Sequence, residues 1–480
     1  MSTLTAAAPG RSGAAAPACP PAADPASDSP RPPAAGRAAL RAGVFGNFVD
    51  QIHIFLPLVA LAPALPTIAG EHALAVVGSW VVVATLLGRP VGAMVFGPVA
   101  DRVGRTATTR IAILGTAACT AGIAVVPSHA SIGIASLVVI LVLRFAGGAF
   151  LAGEYTAAIP LAMEWSPPRR RGLASGLIMA MAPWAQAAIA GSTAGLLWLL
   201  GPHEYAVWGW RVVFAAGALA SVGVYLYYSA HVADEPTAAR RREAVAGGPE
   251  VRAGRGPSGA VERRRPGLLD LLVGHHARSF WQVFGLMTGL WCLTNMVVIA
   301  MTGLLAAEVG LGAGEVSLVM ATAAVAQALV MSVTGHLSTL TGRRVFFVGT
   351  GALAAVVAPA LWWVTLTATG AWAAAAGVVA LQVLTVTAYG PVGAYLSERW
   401  PAEVRSTGYG TAYSLSIVVP ALWPVWLPWV QDMVGARAAE AGLLVLGGLL
   451  VAGCGWLGPA LRPAELSGTV EELSTAQTRG

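Results

Sequence analysis

Two short sequence strings occur twice in this chain, in the same order and at nearly the same separation. Residues 97–105 (GPVADRVGR) are matched by residues 335–344 (GHLSTLTGRR). Residues 164–171 (EWSPPRRR) are matched by residues 398–405 (ERWPAEVR). Two matched pairs of this kind indicate an internal duplication in which each copy takes about half of the chain.

Both copies are mostly apolar. Hydrophobic residues make up 56% of the 480 residues and charged residues only 11%, whereas a soluble domain typically has about 25% charged residues. Most of twelve apolar segments reach the ~20 residues that cross ~30 Å of hydrocarbon. These segments are 42–65, 75–98, 108–127, 134–160, 173–199, 211–230, 280–305, 315–338, 345–366, 371–396, 408–430 and 440–461.

The duplication and the apolar segments together predict the fold class. We expect an all-α membrane protein with twelve transmembrane helices in two six-helix bundles, related by a pseudo-twofold axis. A duplicated membrane protein of this kind is typically a transporter, because two halves that rock about a central site expose it to each side in turn.

The arginines predict the orientation of the chain. All 29 basic residues are arginine. If both termini lie on one side, Arg211 and Arg437 are in loops on the opposite side and Arg89 and Arg144 are inside spans, which leaves 25 on the side of the termini. We call that side the Arg-rich side. By the positive-inside rule it is cytoplasmic, and the lysine-free, Ala- and Gly-rich composition suggests a bacterial inner membrane.

The remaining segments divide the chain into five parts. Residues 1–40 are rich in Ala, Pro and Ser and predict a disordered cytoplasmic tail. An N-terminal bundle (41–230) and a C-terminal bundle (279–462) are joined by an Arg-rich cytoplasmic linker (231–278), and 463–480 forms a second cytoplasmic tail.

No pattern in the chain indicates a cofactor or an enzyme. Cys19, Cys119, Cys292 and Cys454 are far apart and lack the spacing of metal ligands. No nucleophile–base set and no phosphate-binding loop with lysine is present. The net charge of +6 is explained by topology, so no nucleic acid partner is expected. The expected partners of this monomeric secondary transporter are a small-molecule metabolite, protons and the lipid bilayer.

Further strings resemble a known family. Residues 97–105 resemble the loop 2–3 signature of the major facilitator superfamily. Other strings narrow the resemblance to the metabolite:proton symporter family within it, over about 40–460. They are Gly46-Asn47-Phe48, Arg89-Pro90 with Gly92, Arg144 with Gly147-Gly148 and Gly153-Glu154-Tyr155, Trp208–Arg211, and Pro401-x-x-Val404-Arg405-x-x-Gly408. The resemblance implies the major facilitator fold and proton-coupled transport of a small metabolite.

The chain departs from that family at two points. The family has a Glu-Trp-Tyr-Asp run in its first helix, where this chain has Asp50-Gln51-Ile52-His53. The acidic residue of the second-half loop is Thr339 here. The first departure leaves the identity of the substrate open.

Four ionisable residues inside spans are candidates for proton coupling. A charge at the bilayer centre costs several kcal/mol or more and needs a partner or a function. Asp50 and Arg144 both fall near the midplane at 1.5 Å per residue, so they could form an ion pair that breaks on protonation, or a permanent structural pair. His53 lies on the same helix face as Asp50 and could relay protons or donate a hydrogen bond. Glu154 could pair within the bundle or be a second proton site.

Four residues are candidates for substrate binding. The guanidinium of Arg89 can bind a carboxylate bidentately, although it could instead belong to a gate. Asn295, Gln382 and Tyr389 in the second half could hydrogen-bond the substrate or join helices. The positive balance of these charges favours symport of a small organic anion with protons, or of a zwitterion if Glu154 is unpaired. The alternative is a proton antiporter that exports a natural product or drug.

The duplicated loops predict a gate on the Arg-rich side. Asp101 follows the second span and is expected to meet the positive N-terminal end of the eleventh span, near Gly408. We expect the gate residues to close this side in the outward-open state. They are Gly97, Asp101, Arg102, Gly104, Arg105, Glu164, Arg171, Glu398 and Arg405.

Overall fold

The computed structural model of the chain describes residues 33–69, 74–232, 268–461, 463–470 and 472–474. The predicted N-terminal tail up to residue 32 and the part of the predicted linker at 233–267 lie outside these residues. All regular secondary structure in the described part is helical.

Twelve long helical segments follow one another along the described chain. We number them α1 to α12. They are α1 Pro33–Phe55, α2 Leu74–Val103, α3 Arg105–Ala124, α4 Ala135–Trp165, α5 Arg171–Met179 with Met181–Glu204, α6 Trp210–His231, α7 Ala277–Ala307, α8 Ala313–Thr341, α9 Arg343–Leu366, α10 Ala371–Glu398, α11 Arg405–Ala421 with Trp423–Val434, and α12 Ala436–Trp456. Shorter α-helices lie between them at Leu65–Ala69, His129–Ile132 and Leu268–Leu272.

The twelve segments correspond to twelve membrane spans. Ten helices of the described chain are long and apolar enough to cross a membrane, and α11 adds one if its two parts, bent by 48°, are a single span. One of the ten is the stretch Pro168–His231, whose 64 residues would measure ~96 Å as a straight helix. Its helical path breaks at Gly201, where φ is 78° and ψ is 162°, so the stretch contains both α5 and α6. The predicted number of spans is confirmed.

The helices pack as two bundles. In the first half α2 and α3 pack against α4, and α1 packs against α4, α5 and α6. In the second half α12 packs against α7, α9 and α11, and α10 packs against α8 and α9. The main contacts between the halves are α2 with α11 and α5 with α8. Helix α2 corresponds to α8 of the second half, and α5 corresponds to α11. The two contacts are therefore equivalent under a pseudo-twofold axis.

Three helices depart from regular α geometry near the middle of the molecule. A π-helical turn, Leu56–Ala60, follows α1, another lies within α7 at Asn295–Ala300, and a 3₁₀ turn interrupts α10 at Val386–Tyr389. Such turns are common at functional sites because they re-aim side chains. Here they supply part of the lining of a central cavity.

The structure describes part of each predicted tail. Helix α1 already begins at Pro33, within the predicted N-terminal tail. The described residues between 463 and 474 are packed on the Arg-rich side, with Leu466, Val470 and Leu473 buried. The Arg171 Nη2 of the first half donates a hydrogen bond to the Gly468 carbonyl at 3.3 Å. We call these residues the docked segment.

Candidate functional site

A central cavity lies between the two halves. Its empty space, including the part that is open to solvent, is about 910 Å³, which is the scale of sites for small molecules. Its polar and aromatic lining residues are Asn47, Gln51, Phe55, Arg89, Tyr155, Gln186, Trp291, Thr294, Asn295, Gln327, Tyr389 and Tyr413. Both halves contribute, so a ligand here would contact both bundles.

Arg89 is the only charged residue among the described residues that line this cavity. Its guanidinium carbon lies 5.4 Å from the ring centroids of both Tyr155 and Tyr413 and 5.8 Å from that of Trp291. Among the described residues, no carboxylate forms an ion pair with Arg89, and the Arg89 Nε has no hydrogen-bond partner. Aromatic faces stabilise a cation without neutralising it. Arg89 therefore presents a positive charge to the central cavity.

The three neutral candidates of the second half differ in position. Asn295 and Tyr389 line the cavity, as expected. Gln382 is fully buried and does not belong to the lining; its Nε2 donates to the Val297 carbonyl on α7 at 3.4 Å. For Gln382 the geometry favours the alternative of a contact between helices.

Several lining residues were not among the candidates. Asn47 and Gln51 are four residues apart on α1, and the Gln51 Nε2 donates to the Asn47 Oδ1 at 3.4 Å. The Asn47 Nδ2 in turn donates to the Ile178 carbonyl on α5 at 2.5 Å. Two amides at helical spacing in an apolar span were a usable signal for these two residues. Tyr155, Trp291 and Tyr413 had no such signal, because the contacts that bring them together come from different helices.

The candidates for proton coupling lie behind the cavity wall. None of the four belongs to the cavity lining, and all are buried. The carboxyl groups of Asp50 on α1 and Glu154 on α4 are within hydrogen-bonding reach of each other. Two ionised carboxylates have only acceptor oxygens, so a hydrogen bond between them requires a proton. The pair is therefore a place where a proton can be held inside the first half.

The predicted ion pair between Asp50 and Arg144 is not formed. The Arg144 Nη1 instead donates to the His53 carbonyl at 2.8 Å, and the guanidinium carbon lies 5.1 Å from the Phe214 ring centroid. The positive charge that acts on Asp50 is that of Arg89. The error arose because Arg144 is ten residues from Glu154 on α4, or ~15 Å along the axis, and depths counted from uncertain helix ends could not resolve that offset.

His53 faces away from the cavity. Its Nε2 lies 2.6 Å from the Ser221 Oγ on α6, and its Nδ1 lies 3.0 Å from the Thr120 Oγ1 on α3. Both ring nitrogens thus contact hydroxyl groups within the first half. This geometry favours a hydrogen-bonded role for His53 among helices over a relay to the cavity.

Asp101 meets the start of α11, as predicted. Its carboxylate accepts hydrogen bonds from the Ser406 N at 3.0 Å, the Thr407 N at 2.8 Å and the Thr407 Oγ1 at 2.7 Å. The free N–H groups and positive dipole of a helix N-terminus favour a carboxylate at this position. A Cβ at Gly97 would lie 2.8 Å from the Thr407 Cα, so a glycine permits this close approach of α2 and α11.

Two glutamates form equivalent ion-pair clusters on the same side. Glu164 pairs with Arg105 of its own half and Arg405 of the other. Glu398 pairs with Arg343 of its own half at 3.1 Å and with Arg171 of the other at 3.5 Å. Each cluster thus joins the two halves. We call these clusters, together with Asp101, the gate.

Two predicted gate residues have other positions. Arg102 is exposed beside the gate. Gly104 turns the chain between α2 and α3 with a φ of 120°, and Gly342 makes the equivalent turn with a φ of 89°; both values favour glycine. Thr339, at the position that corresponds to Asp101, accepts a bond from the Arg343 Nη1 at 3.2 Å.

An Asp101→Asn variant is expected to bind ligand with nearly unchanged affinity but to cycle more slowly. The substitution removes a charged acceptor from the start of α11, which weakens the closed state of the Arg-rich side without touching the cavity. The measurement compares equilibrium binding with the rate of exchange in proteoliposomes. A large loss of affinity at an unchanged exchange rate would contradict this expectation.

A Glu164→Gln variant is expected to be less stable by about 3–5 kcal/mol, because it removes the negative charge that two buried arginines share. The measurement is the thermal unfolding midpoint of the detergent-purified protein. Glu308→Gln is the matched control: Glu308 pairs with Arg437, but both side chains are about a third exposed, and such pairs contribute about 0–1 kcal/mol. If both substitutions lowered the unfolding midpoint equally, the buried Glu164 cluster would contribute no more to stability than the exposed pair.

Two six-helix bundles around a shared central cavity, closed on one side by ion pairs between them, define a membrane transporter. Residues 45–424 match the sequence model of the Major Facilitator Superfamily. Because this match covers most of the chain, the protein belongs to that superfamily and is a transporter, not an enzyme.

The chain is similar in sequence to bacterial transporters and similar in fold to solved structures. The inner membrane metabolite transport protein YhjE of Escherichia coli K12 is 29% identical over 85% of this chain and 91% of its own length. The proline/betaine transporter of Salmonella typhimurium is 26% identical over 72% of this chain and 67% of its own length. The proton:xylose symporter XylE superposes with a TM-score of 0.68 at 16% identity, over 92% of this chain and 99% of that one. The superposition supports the fold alone.

Proposed function

We propose that this chain is a proton-coupled symporter of a small metabolite that carries a carboxylate, either an organic anion or a zwitterion. The observation that supports the proposal most strongly is Arg89, a single cation on the wall of an otherwise uncharged set of described lining residues. A positive cavity attracts anions and disfavours cations. A guanidinium fork can bind a carboxylate through two parallel hydrogen bonds.

The remaining wall suits a small solute with few polar groups. Trp291, Tyr389 and Tyr413 offer aromatic faces, and Asn295 and Gln327 offer amides. An ammonium group of a zwitterion can lie on such faces while its carboxylate is held by Arg89. Proline and betaine, which appear in the names of several relatives, are solutes of this type. These names support the proposed class of substrate.

We assign the coupling proton to the Asp50–Glu154 pair. A hydrogen bond within the pair requires a proton, and the positive charge of Arg89 interacts electrostatically with Asp50. When the pair loses its proton, its negative charge competes with the substrate for Arg89. A substrate carboxylate therefore binds best while the pair is protonated. This preference couples transport of the substrate to transport of the proton. Once the proton leaves on the other side, the extra negative charge favours release of the substrate.

We further propose that the Arg-rich side is cytoplasmic. An Arg255→Cys variant places a single reporter in the linker, which lies outside the described residues. In a background without the native cysteines, we expect a membrane-impermeant maleimide to label it only after the membrane is opened. Labelling in intact cells would refute this orientation.

The proposed substrate class is tested by a panel of solutes on the purified protein. Citrate, a keto acid, proline and betaine are compared with cationic and neutral lipophilic compounds for their effect on the thermal unfolding midpoint. We expect stabilisation by carboxylates, followed by uptake of the same solutes into proteoliposomes when a proton gradient is imposed. Stabilisation by cations or neutral lipophiles only would contradict the proposal and favour an exporter.

A further inference from the structure

We infer that a stack of three tyrosines beneath Arg89 holds the two halves together, and that a carboxylate at Arg89 loosens this stack and so triggers opening of the Arg-rich side. The stack is formed by Tyr155, Tyr409 and Tyr413. The trigger rests on the proposed function of Arg89. The contacts of the stack itself do not depend on that function.

The tyrosines come from opposite halves. Tyr155 lies on α4, whereas Tyr409 and Tyr413 lie one turn apart on α11. The ring of Tyr155 is stacked on that of Tyr413, with centroids 4.6 Å apart and planes at 29°. Tyr409 lies 6.1 Å from each of the other two rings. Ring pairs at these distances attract each other beyond the area that they bury, so the stack joins α4 to α11.

The stack lies between the cavity and the gate. Along α11, Ser406 and Thr407, which donate to Asp101 of the gate, come first and Tyr409 follows. Tyr413, which lines the cavity, comes ~6 Å after Tyr409. The backbones of α4 and α11 are also close here, since a Cβ at Gly410 would lie 2.8 Å from the Thr156 Cβ. The Arg-rich side cannot open until these rings separate.

Arg89 makes the stack sensitive to ligand. Its guanidinium carbon is 5.4 Å from the centroids of both stacked rings, one in each half. The attraction between a cation and a ring depends on the net charge that the ring meets. A bound carboxylate offsets the charge of Arg89 and weakens its hold on both tyrosines. Binding thus lowers the cost of separating α4 from α11.

The reporter for opening is a cysteine at Ser175. Ser175 is fully buried on α5, where its Oγ donates to the Gly390 carbonyl of the other half at 2.6 Å. It lies where α5 meets α10, and its Oγ also accepts a hydrogen bond from the Ala394 N at 3.1 Å, so its hydrogen-bond partners are not the tyrosines of the stack. In full-length protein without the native cysteines, the rate at which N-ethylmaleimide labels Ser175→Cys reports separation of the halves.

The decisive comparison uses variants of Tyr413 without ligand. Tyr413→Leu removes the ring, and we expect about three- to tenfold faster labelling, the change that corresponds to loss of one or two ring contacts. Tyr413→Phe keeps the ring and is the matched control, expected to label like the parent. Tyr409→Leu is a second test of the stack if Tyr413→Leu does not fold. Labelling of both Leu variants at the parent rate would overturn the stack.

The role of Arg89 is tested separately. Arg89→Leu removes the charge that holds both rings and should also speed labelling without ligand. In the parent, proline, betaine and citrate are used as probes, and any that stabilises the protein should speed labelling as well. Unchanged labelling in Arg89→Leu would overturn the trigger. Absence of stabilisation by every carboxylate would instead refute the proposed substrate class, while the comparison at Tyr413 would still stand.

Discussion

Replacing Arg89 by alanine is expected to abolish the thermal stabilisation that carboxylate ligands give to the purified protein. The ligand would lose two charge-assisted hydrogen bonds, at about 1.5–3 kcal/mol each, so its affinity should fall by at least about 150-fold. Arg89→Lys should restore only part of the affinity, because an ammonium group is a point charge without the planar fork. Affinity is measured by calorimetry in detergent.

The matched control for Arg89 is on the same helix. Arg102→Lys changes an exposed arginine of α2 that lies outside the cavity lining, and it should leave affinity unchanged. If Arg89→Ala binds carboxylates as tightly as the parent, the positive cavity is not the binding site. In that case the substrate class must be sought among uncharged solutes.

Replacing Asp50 by asparagine is expected to abolish accumulation of substrate against its gradient while exchange of substrate continues. The amide of asparagine can replace the hydrogen bond to Glu154, but it cannot take up and release a proton in the cycle. Uptake driven by an imposed proton gradient should therefore stop at equilibration. Counterflow, in which labelled substrate enters proteoliposomes that are loaded with unlabelled substrate, should persist.

Two further variants define the coupling site. Glu154→Gln should give the same uncoupled behaviour, because Asp50 and Glu154 share one hydrogen bond. Asp432→Asn changes an exposed carboxylate of α11 and should accumulate substrate like the parent. Full accumulation by Asp50→Asn would show that the proton is carried elsewhere in the chain.

The fold was largely predictable because its determinants are local in the sequence. A run of about twenty apolar residues is sufficient to predict a span, and the two repeated strings predict that the spans form two equivalent halves. The gate was predictable for the same reason. Glu164 and Glu398 are equivalent positions of the repeat, and each pairs with one arginine of each half.

The site was only partly predictable. Arg89 could be identified because a charge within an apolar span is energetically costly and therefore indicates a partner or a function. The partner of Asp50 could not, because an error of one turn in a helix end shifts the expected depth by 5.4 Å. The tyrosine stack could not be predicted either, since Tyr155 and Tyr413 are brought together only by the packing of α4 on α11.

The docked segment gives the two halves a second connection. The halves are joined covalently by the chain between α6 and α7, and the segment that follows α12 reaches back to the first half through Arg171 and Gly468. Both connections are on the Arg-rich side, so a widening movement there meets a restraint. An affinity tag or fluorescent protein fused after this segment could disturb the restraint. Measurements of opening should therefore use tags at the N-terminus, or compare both.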